Sequence, residues 1–116
     1  MEECTFCAIV KNTIPAEKVF EDERFVVFKD INPVAPVHLL LIPRRHIESI
    51  ETLQDSDREL IGRLFLLARD IARKKHLAKP GYKLLFRVGH GGGQIVPHLH
   101  LHLLGGWGDQ PKTLPL

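Results

Sequence analysis

The sequence has little of what extracellular, membrane-spanning or nucleic-acid-binding proteins need. Its formal net charge is only +2 and most of its basic residues are scattered, which argues against a nucleic-acid partner. No apolar segment follows the acidic N-terminal residues, and the apolar run 39–43 is far too short to cross a bilayer. Cys4 and Cys7 are its only cysteines. We therefore expect a cytoplasmic protein without a disulfide, a membrane contact or a nucleic-acid partner.

Internal repeats, low-complexity segments and linkers are also absent from the sequence. A length of 116 residues, of which 44% are hydrophobic, predicts one globular domain over 1–116. Its motifs fall within 4–106, and 107–116 form a C-terminal tail. Because a domain of this size has a limited core, a dimer interface or a metal site is expected to add stability.

The order of apolar runs and turn residues predicts an α+β fold with a mostly antiparallel five-stranded sheet. A short helix is predicted near the N-terminus, at 7–11. Ser56 and Glu59 form a predicted capping box at the start of one long helix that ends near Lys75. Apolar residues recur along this helix at helical spacing: Leu60, Leu64, Leu67, Ala68 and Ile71. The predicted strands are 18–20, 24–28, 38–42, 82–88 and 98–104, with 38–42 central and buried on both faces.

Three histidines alternate with leucines along the last predicted strand. Because side chains of a strand point to opposite faces in turn, His98, His100 and His102 share one face. Burying three imidazoles side by side is costly unless each has a partner, so this face is predicted to carry chemistry. The other face packs under the long helix and carries Leu99, Leu101 and Leu103.

Two kinds of chemistry suit such a face, metal binding and covalent catalysis by the central imidazole. The segment Gly-His-Gly-Gly-Gly-Gln at 89–94 leads into the histidines. Small residues let backbone N–H groups approach an anion, so this loop predicts a phosphate site. The sequence has no H-x-H-x-D-H arrangement, which weakens the case for a dinuclear metal hydrolase. The loop therefore favours attack on phosphorus by His100.

The two cysteines suggest a second site. Cys4 and Cys7 stand at the C-x2-C spacing that holds tetrahedral zinc, and two more nitrogen or sulfur ligands would complete it. The alternative is a pair of free thiols in a short helix. A close cysteine pair in a reducing compartment favours the metal.

Taken together, these motifs resemble the histidine-triad (HIT) nucleotide hydrolase and transferase superfamily, in its adenosine phosphoramidase (Hint) branch. The resemblance covers 4–106 and implies a HIT-like fold, a purine nucleotide ligand and a homodimer. In such a dimer the long helix and the 82–88 strand would form the interface. The resemblance is carried by Ile-Pro-Ala at 14–16, Phe-Lys-Asp-Ile-Asn-Pro at 28–33, Ala-Pro-Val-His at 35–38, Leu-Ile-Pro-Arg-Arg-His at 41–46, and Gly-Gly-Gln followed after three residues by His-x-His-x-His at 92–102.

The resemblance also implies roles for single residues. His100 would attack the α-phosphorus and carry the nucleotidyl group, and His102 would supply or relay the proton of an amine leaving group. His98 would complete the triad, and Asp30 would accept hydrogen bonds from the ribose hydroxyls. The phosphate would bind at Gly93 and Gln94, and the purine would lie among Phe6, Ile9, Phe28 and Ile31. His38 is similar to a family histidine, although a residue at a strand start that bonds nearby backbone is an equal explanation.

Some relatives complete the cysteine pair with two histidines, which correspond to His46 and His98 here. The resemblance thus implies a structural zinc site of Cys4, Cys7, His46 and His98, while the chemistry itself needs no cofactor. If zinc is not bound, His46 is polar support behind the triad.

Several residues depart from the family pattern. Ile95 replaces a polar residue that contacts the leaving group, Arg87 replaces an asparagine beside the phosphate loop, and Pro97 replaces an aromatic residue. The tail from Trp107 does not match either. We expect a purine nucleoside phosphoramidase with an altered leaving-group preference. The alternatives are a dinucleoside polyphosphate hydrolase, or a zinc-bearing nucleotide-binding or interaction module with vestigial activity.

Overall fold

The computed structural model describes residues 4–108 and contains the α+β fold that the sequence predicts. A short helix, α1, and a long helix, α2, accompany one five-stranded sheet. The helices are α1 (Thr5–Val10) and α2 (Arg58–Lys74). The strands are β1 (Lys18–Glu21), β2 (Phe25–Lys29), β3 (Val37–Pro43), β4 (Tyr82–Leu85) and β5 (Leu101–Gly105). Short 3₁₀ turns lie at Ile50–Thr52, Asp55–Asp57 and His90–Gly92.

The sheet has the order β1-β2-β3-β5-β4, and every neighbouring pair of strands is antiparallel. The central strand, β3, is buried from His38 to Pro43, as predicted for a strand covered on both faces. β5 pairs with β3 so that His102 lies opposite Leu40. The topology therefore brings the end of the histidine segment beside the middle of the sheet.

Each face of the sheet has its own core. The face under α2 contains Leu99, Leu101 and Leu103 together with Leu64, Ala68 and Ile71 of the helix, as predicted. The opposite face contains Phe6 and Ile9 of α1, packed on Val26, Phe28, Leu40 and Ile42. The histidines, which alternate with the three leucines, therefore lie on the α1 side of the sheet.

The predicted capping box at the start of α2 is wrong. The residue before the helix is Asp57, and its carboxylate does not cap the helix. It accepts the Gln54 N–H at 2.9 Å and pairs with Arg45 instead. These bonds hold the pKa of Asp57 below its usual value and shape a 3₁₀ turn that precedes α2. The end of the helix agrees with prediction, because Lys75 is its C-cap and Arg73 and Lys74 lie in the last turn.

Two predicted strands are too long. β4 ends at Leu85 rather than Val88 because its register with β5 runs only from Gly105 to His102. β5 begins at Leu101 rather than His98. Before this point the backbone bonds elsewhere, with the Leu99 N–H donating to the Ile47 carbonyl at 2.6 Å. His98 and His100 thus lie in an extended segment just before β5.

Neither helix of the described part has the length and apolar character needed to cross a membrane. The predicted C-terminal tail falls largely on residues 109–116, which lie outside the described residues.

Candidate active site

A cavity of about 340 Å³ opens between α1, the sheet and the 89–97 loop. Eight of the predicted site residues line it: Phe6, Ile9, Phe28, Asp30, Ile31, Gly93, His100 and His102. Its remaining lining residues are Thr5, Ile14, Pro15, Ala16, Asn32, Leu40, Arg87, Ile95 and Val96. The inner wall is apolar, whereas the imidazoles and the two charged groups, Asp30 and Arg87, surround the rest. The cavity thus combines an apolar recess with polar groups that can fix a ligand.

His100 presents a free ring nitrogen to this cavity. Its Nδ1–H donates to the His98 carbonyl at 2.7 Å, so Nε2 keeps its lone pair. The ring is buried and lies edge-on to Phe6, with centroids 5.0 Å apart. Burial lowers the pKa of His100, which keeps the imidazole neutral and nucleophilic near pH 7. A backbone carbonyl therefore fixes this tautomer of His100.

His102 and His38 share a proton whose position follows from the backbone. The Val34 N–H donates to His38 Nδ1 at 3.2 Å, so the His38 proton is on Nε2. That atom lies 3.0 Å from His102 Nδ1 and 3.4 Å from an Asp30 carboxylate oxygen. His102 then carries its own proton on Nε2. His38 thus satisfies both explanations considered for it, because it bonds nearby backbone and belongs to the histidine cluster.

The Nε2 atom of His102 is buried and has no hydrogen-bond partner within residues 4–108. A buried N–H without a partner is unfavourable unless a ligand accepts it. Burial, with the neighbouring His100 and His38, lowers the pKa of His102 to about 4. Burial likewise lowers the pKa of His38. At neutral pH the imidazoles of His38, His100 and His102 are therefore neutral, and the Nε2–H of His102 is available to a ligand.

The glycine-rich loop holds Arg87 against the cavity. Gly93 has a φ of +86°, a conformation that favours glycine, and a Cβ there would lie 3.3 Å from Arg87 Nη1. The N–H groups of Gly93 and Gln94 donate to the carbonyls of His90 and Gly89 within the loop. Arg87 is the one cationic side chain among the described residues that line the cavity. Positive charge here therefore comes from a side chain rather than from these two N–H groups.

Gln94 does not line the cavity. Its side chain accepts the Gly89 N–H at 2.9 Å and donates to the carbonyls of Glu48 at 2.7 Å and Val96 at 3.0 Å. It ties the loop to the segment after β3. Its side chain therefore shapes the loop, whereas the sequence predicts that it binds the phosphate.

The predicted metal ligands lie together on the other side of α1. Cys4 Sγ is 3.3 Å from His98 Nδ1 and 3.6 Å from His46 Nδ1, and Cys7 Sγ is 3.5 and 3.2 Å from the same two atoms. Sulfur and nitrogen ligands of a tetrahedral zinc ion are separated by about 3.5 Å. These four ligand atoms therefore fit a Cys₂His₂ metal site.

The tautomer of His98 agrees with metal binding. This residue is fully buried, and its Nε2–H donates to the Pro43 carbonyl at 2.8 Å. Its Nδ1 lone pair is therefore directed at the cysteines, with an outer-shell partner of the kind that zinc-binding histidines use. Burial also lowers the pKa of His98, which favours the neutral, ligating form.

Sequence reasoning did not identify Arg87, Leu40 or Thr5 as parts of the cavity. Arg87 was noted only as a departure from a family pattern. The strand alternation that placed the histidines also puts Leu40 on their side of β3, which was a usable signal. Thr5 follows from no local pattern, because its place depends on how α1 docks on the sheet.

Comparisons with known proteins agree with this geometry. The family described as "Scavenger mRNA decapping enzyme C-term binding" matches residues 3–111. The chain is 46% identical to Protein HitA of Neisseria gonorrhoeae over 90% of its length and 97% of that protein. It is 37% identical to the purine nucleoside phosphoramidase of Escherichia coli (strain K12), over 90% and 88% of the two chains.

Solved structures give the same result. A HIT family hydrolase from Legionella pneumophila Philadelphia 1 superposes with a TM-score of 0.92 at 46% identity, covering 97% of this chain and 98% of that one. A HIT family hydrolase from Clostridium thermocellum superposes with a TM-score of 0.90 at 41% identity, covering 98% of this chain and 99% of that one. The histidine segment, the fold and these relatives agree that the chain belongs to the histidine-triad (HIT) superfamily.

Proposed function

We propose that this protein is a purine nucleoside phosphoramidase that cleaves its substrate at the α-phosphate through a nucleotidyl-His100 intermediate. The observation that carries the proposal is the free Nε2 of a neutral, buried His100, fixed by the His98 carbonyl and directed into the cavity. The E. coli relative of that name, at 37% identity, supports the same reaction class.

The shape of the cavity suits a nucleotide. Phe6, Ile9 and Phe28 offer an apolar recess of the kind that a purine occupies. The Asp30 carboxylate accepts the Asn32 N–H at 2.8 Å, which holds it at the cavity wall. In this position we infer that it accepts hydrogen bonds from the ribose hydroxyls. The α-phosphorus would then lie near His100.

In the proposed reaction, His100 Nε2 forms a bond to phosphorus while the P–N bond to the amine breaks. The charge of the bound phosphate favours protonation of the His38–His102 pair. The extra proton leaves with the amine through His102 Nε2, and the pair returns to its neutral state. Water then attacks phosphorus, and the bond between phosphorus and His100 Nε2 breaks. The proton that water loses passes to solvent, AMP leaves, and the neutral imidazole is restored.

The first test is AMP release from adenosine 5′-phosphoramidate by the parent protein and by His100→Ala. We expect release from the parent, a loss of at least about a thousandfold in the variant, and retained AMP affinity. His90→Ala is the matched control, because His90 is exposed and does not line the cavity. An active His100→Ala variant would contradict the covalent route.

The same assay addresses the two alternatives. A parent protein that cleaves diadenosine polyphosphates but not the phosphoramidate would be a dinucleoside polyphosphate hydrolase. A parent that binds AMP but cleaves neither substrate would be a nucleotide-binding or interaction module. His102 offers an unused N–H donor beside the free Nε2 of His100, which favours a catalytic site over a nucleotide-binding or interaction module.

We also propose that Cys4, Cys7, His46 and His98 bind a structural zinc ion. Support comes from the four sulfur-to-nitrogen distances and from the His98 tautomer. Zinc there would tie α1 to the segment before β5 without entering the reaction. Metal analysis of the purified protein, compared with a Cys4→Ser/Cys7→Ser variant, tests the assignment: we expect one zinc per chain in the parent and none in the variant.

A homodimer stays a prediction, with α2 and the 82–88 segment as its interface. Phe65 of α2 is 44% exposed and contacts the Phe86 ring, at 6.1 Å between centroids. Leu66 and Val88 are exposed apolar residues in the same two segments. Sedimentation of the parent and of Phe65→Asp tests the interface, and we expect the variant to be monomeric.

A further inference from the structure

We propose that Cys4 and Cys7 form a redox-sensitive pair, which a peroxide converts into a disulfide with loss of zinc and of nucleotide affinity. The proposal rests on the zinc and nucleotide sites proposed above and concerns how the first regulates the second. It is carried by a juxtaposition in α1, where the two residues between the cysteines, Thr5 and Phe6, both line the cavity.

The two sulfur atoms lie close enough to be joined. Both belong to a set of ligand atoms that lie within 4.8 Å of one another, and the Cys7 N–H donates to Cys4 Sγ at 3.1 Å. This bond turns the Cys4 side chain toward Cys7. Two residues between the cysteines is also the spacing of redox-active pairs. A disulfide therefore requires the sulfurs to approach each other by at most about 3 Å.

The cysteines lie on the solvent side of their cluster. Cys4 and Cys7 are half-buried and His46 is exposed, whereas His98 is fully buried. Cysteines that ligate zinc are thiolates, and the thiolate is the form that attacks a peroxide. A small oxidant therefore has access to this pair from solvent while the chain stays folded.

The proposed oxidation removes two electrons from the pair. One thiolate attacks a peroxide oxygen, the O–O bond breaks and hydroxide leaves, so that this cysteine becomes a sulfenic acid. The other thiolate attacks the sulfenic sulfur, the S–O bond breaks and a second hydroxide leaves. Two protons from solvent convert the hydroxides into water, so that hydrogen peroxide is reduced to water. The disulfide has no thiolate left to ligate zinc, which departs as the same divalent ion.

Phe6 connects the cysteine cluster to the reaction centre. Its ring lies edge-on to His98, with centroids 6.0 Å apart, and to His100, at 5.0 Å. It also packs on Phe28 at 5.4 Å, in the apolar recess. A disulfide draws the two sulfurs together and away from the imidazoles, so α1 is no longer tied to His46 and His98. We expect a nucleotide to bind less tightly, because it must then order α1 again.

The experiment treats the purified, zinc-loaded protein with hydrogen peroxide and measures zinc release to a chromogenic chelator, the mass of the chain, and AMP affinity. We expect release of one zinc per chain, loss of two hydrogen atoms from the mass, and AMP affinity about fivefold weaker. Dithiothreitol with added zinc should restore the starting state. Cys4 and Cys7 are the only cysteines and Met1 is the only methionine, so oxidation products can be assigned to single residues.

Cys4→Asp/Cys7→Asp is the matched control, because its carboxylates can ligate zinc but cannot form a disulfide. Aspartate at position 4 also remains a suitable N-cap for α1. Its AMP affinity should be equal with and without peroxide. A similar loss of affinity in this variant would assign the effect to damage elsewhere and overturn the proposal.

The three measurements separate this proposal from the sites on which it rests. Intact thiols after treatment, or sulfinic acids in place of a disulfide, would overturn the proposal and leave the zinc site standing. A disulfide with unchanged AMP affinity would do the same, since the cysteines would then have no influence on the cavity. Untreated protein that contains no zinc, or does not bind AMP, would overturn the site concerned together with this proposal.

Discussion

His98 and His100 are two residues apart and lie on the same side of the sheet, yet their surroundings differ completely. Both ring nitrogens of His98 are directed at protein atoms, the Pro43 carbonyl and the cysteine sulfurs. Only one nitrogen of His100 is used, by the His98 carbonyl, and the other faces the cavity. The His98 imidazole belongs to the closed cluster, which it forms with Cys4, Cys7 and His46. The His100 imidazole belongs to the open cluster, the polar side chains at the cavity: Asp30, His38, His100 and His102. Hydrogen-bond partners, rather than residue type, separate the structural role proposed for His98 from the chemical role proposed for His100.

The largest contrast is expected in stability. His98→Ala leaves the Pro43 carbonyl without its buried donor and removes one ligand of the proposed zinc ion, so we expect the free energy of unfolding to fall by about 3 kcal/mol or more. His100→Ala also removes a donor, from the His98 carbonyl, and loses the edge contact with Phe6, but it leaves the four proposed zinc ligands in place, so we expect a smaller loss of about 1–2 kcal/mol. Denaturant unfolding of both variants measures the difference. Equal destabilisation would remove the distinction between the two clusters.

Removal of the proposed zinc ion should affect the closed cluster first. For Cys4→Ser/Cys7→Ser, or for the parent stripped with a chelator, we expect the melting temperature to fall by about 10 °C. AMP affinity should fall several-fold as well, because α1 carries Phe6 and Ile9 of the cavity wall. Thermal melts and AMP titrations, with and without added zinc, check both effects. Restoration of the parent, but not of the variant, by zinc would identify the cysteines as the ligands.

Within the open cluster, Asp30→Asn tests the contact proposed for the ribose. Losing a charged acceptor should raise KM for adenosine 5′-phosphoramidate by about tenfold, with kcat less affected. The 2′-deoxy substrate is the matched comparison, since the variant should distinguish it from the ribose form less than the parent does. Equal discrimination by both proteins would place the ribose elsewhere.

The last expected effect is a pH dependence of stability due to His102, which is confined to mildly acidic pH. Its pKa is about 4 in the folded protein, below the usual value of 6.5, so the unfolded chain binds more protons between these two pH values. Stability from keeping His102 neutral is therefore complete above about pH 6.5 and is lost as the pH falls toward 4. Urea midpoints at pH 7 and pH 5 should differ more in the parent than in His102→Asn. An identical pH response would assign the effect to other groups.

Much of the fold followed from local patterns, and the failures share one cause. Alternation along 98–103 correctly separated the leucines from the histidines, and helical spacing identified the buried face of α2. The start of α2 was wrong because Asp57 bonds to Arg45, twelve residues away in sequence. β5 was too long because Leu99 bonds to Ile47. These partners come from distant parts of the chain, which no local pattern reveals.

The candidate site shows the same limit. The C-x2-C spacing predicted a metal site, but its histidine partners came from resemblance, because residues 46 and 98 meet only in the folded chain. The resemblance also put Gln94 at the phosphate, whereas its side chain bonds to Gly89 of the loop and to Glu48 after β3. A sequence shows which side chains are available, while their hydrogen bonds depend on the tertiary structure.

The acceptor that holds His100 is a main-chain oxygen, which has a consequence for mutagenesis of this segment. Every residue type at position 98 supplies a carbonyl there, so the orientation of the His100 ring does not depend on which side chain residue 98 carries. A substitution of His98 therefore changes the contacts with Cys4 and Cys7 without removing the acceptor that fixes the His100 tautomer.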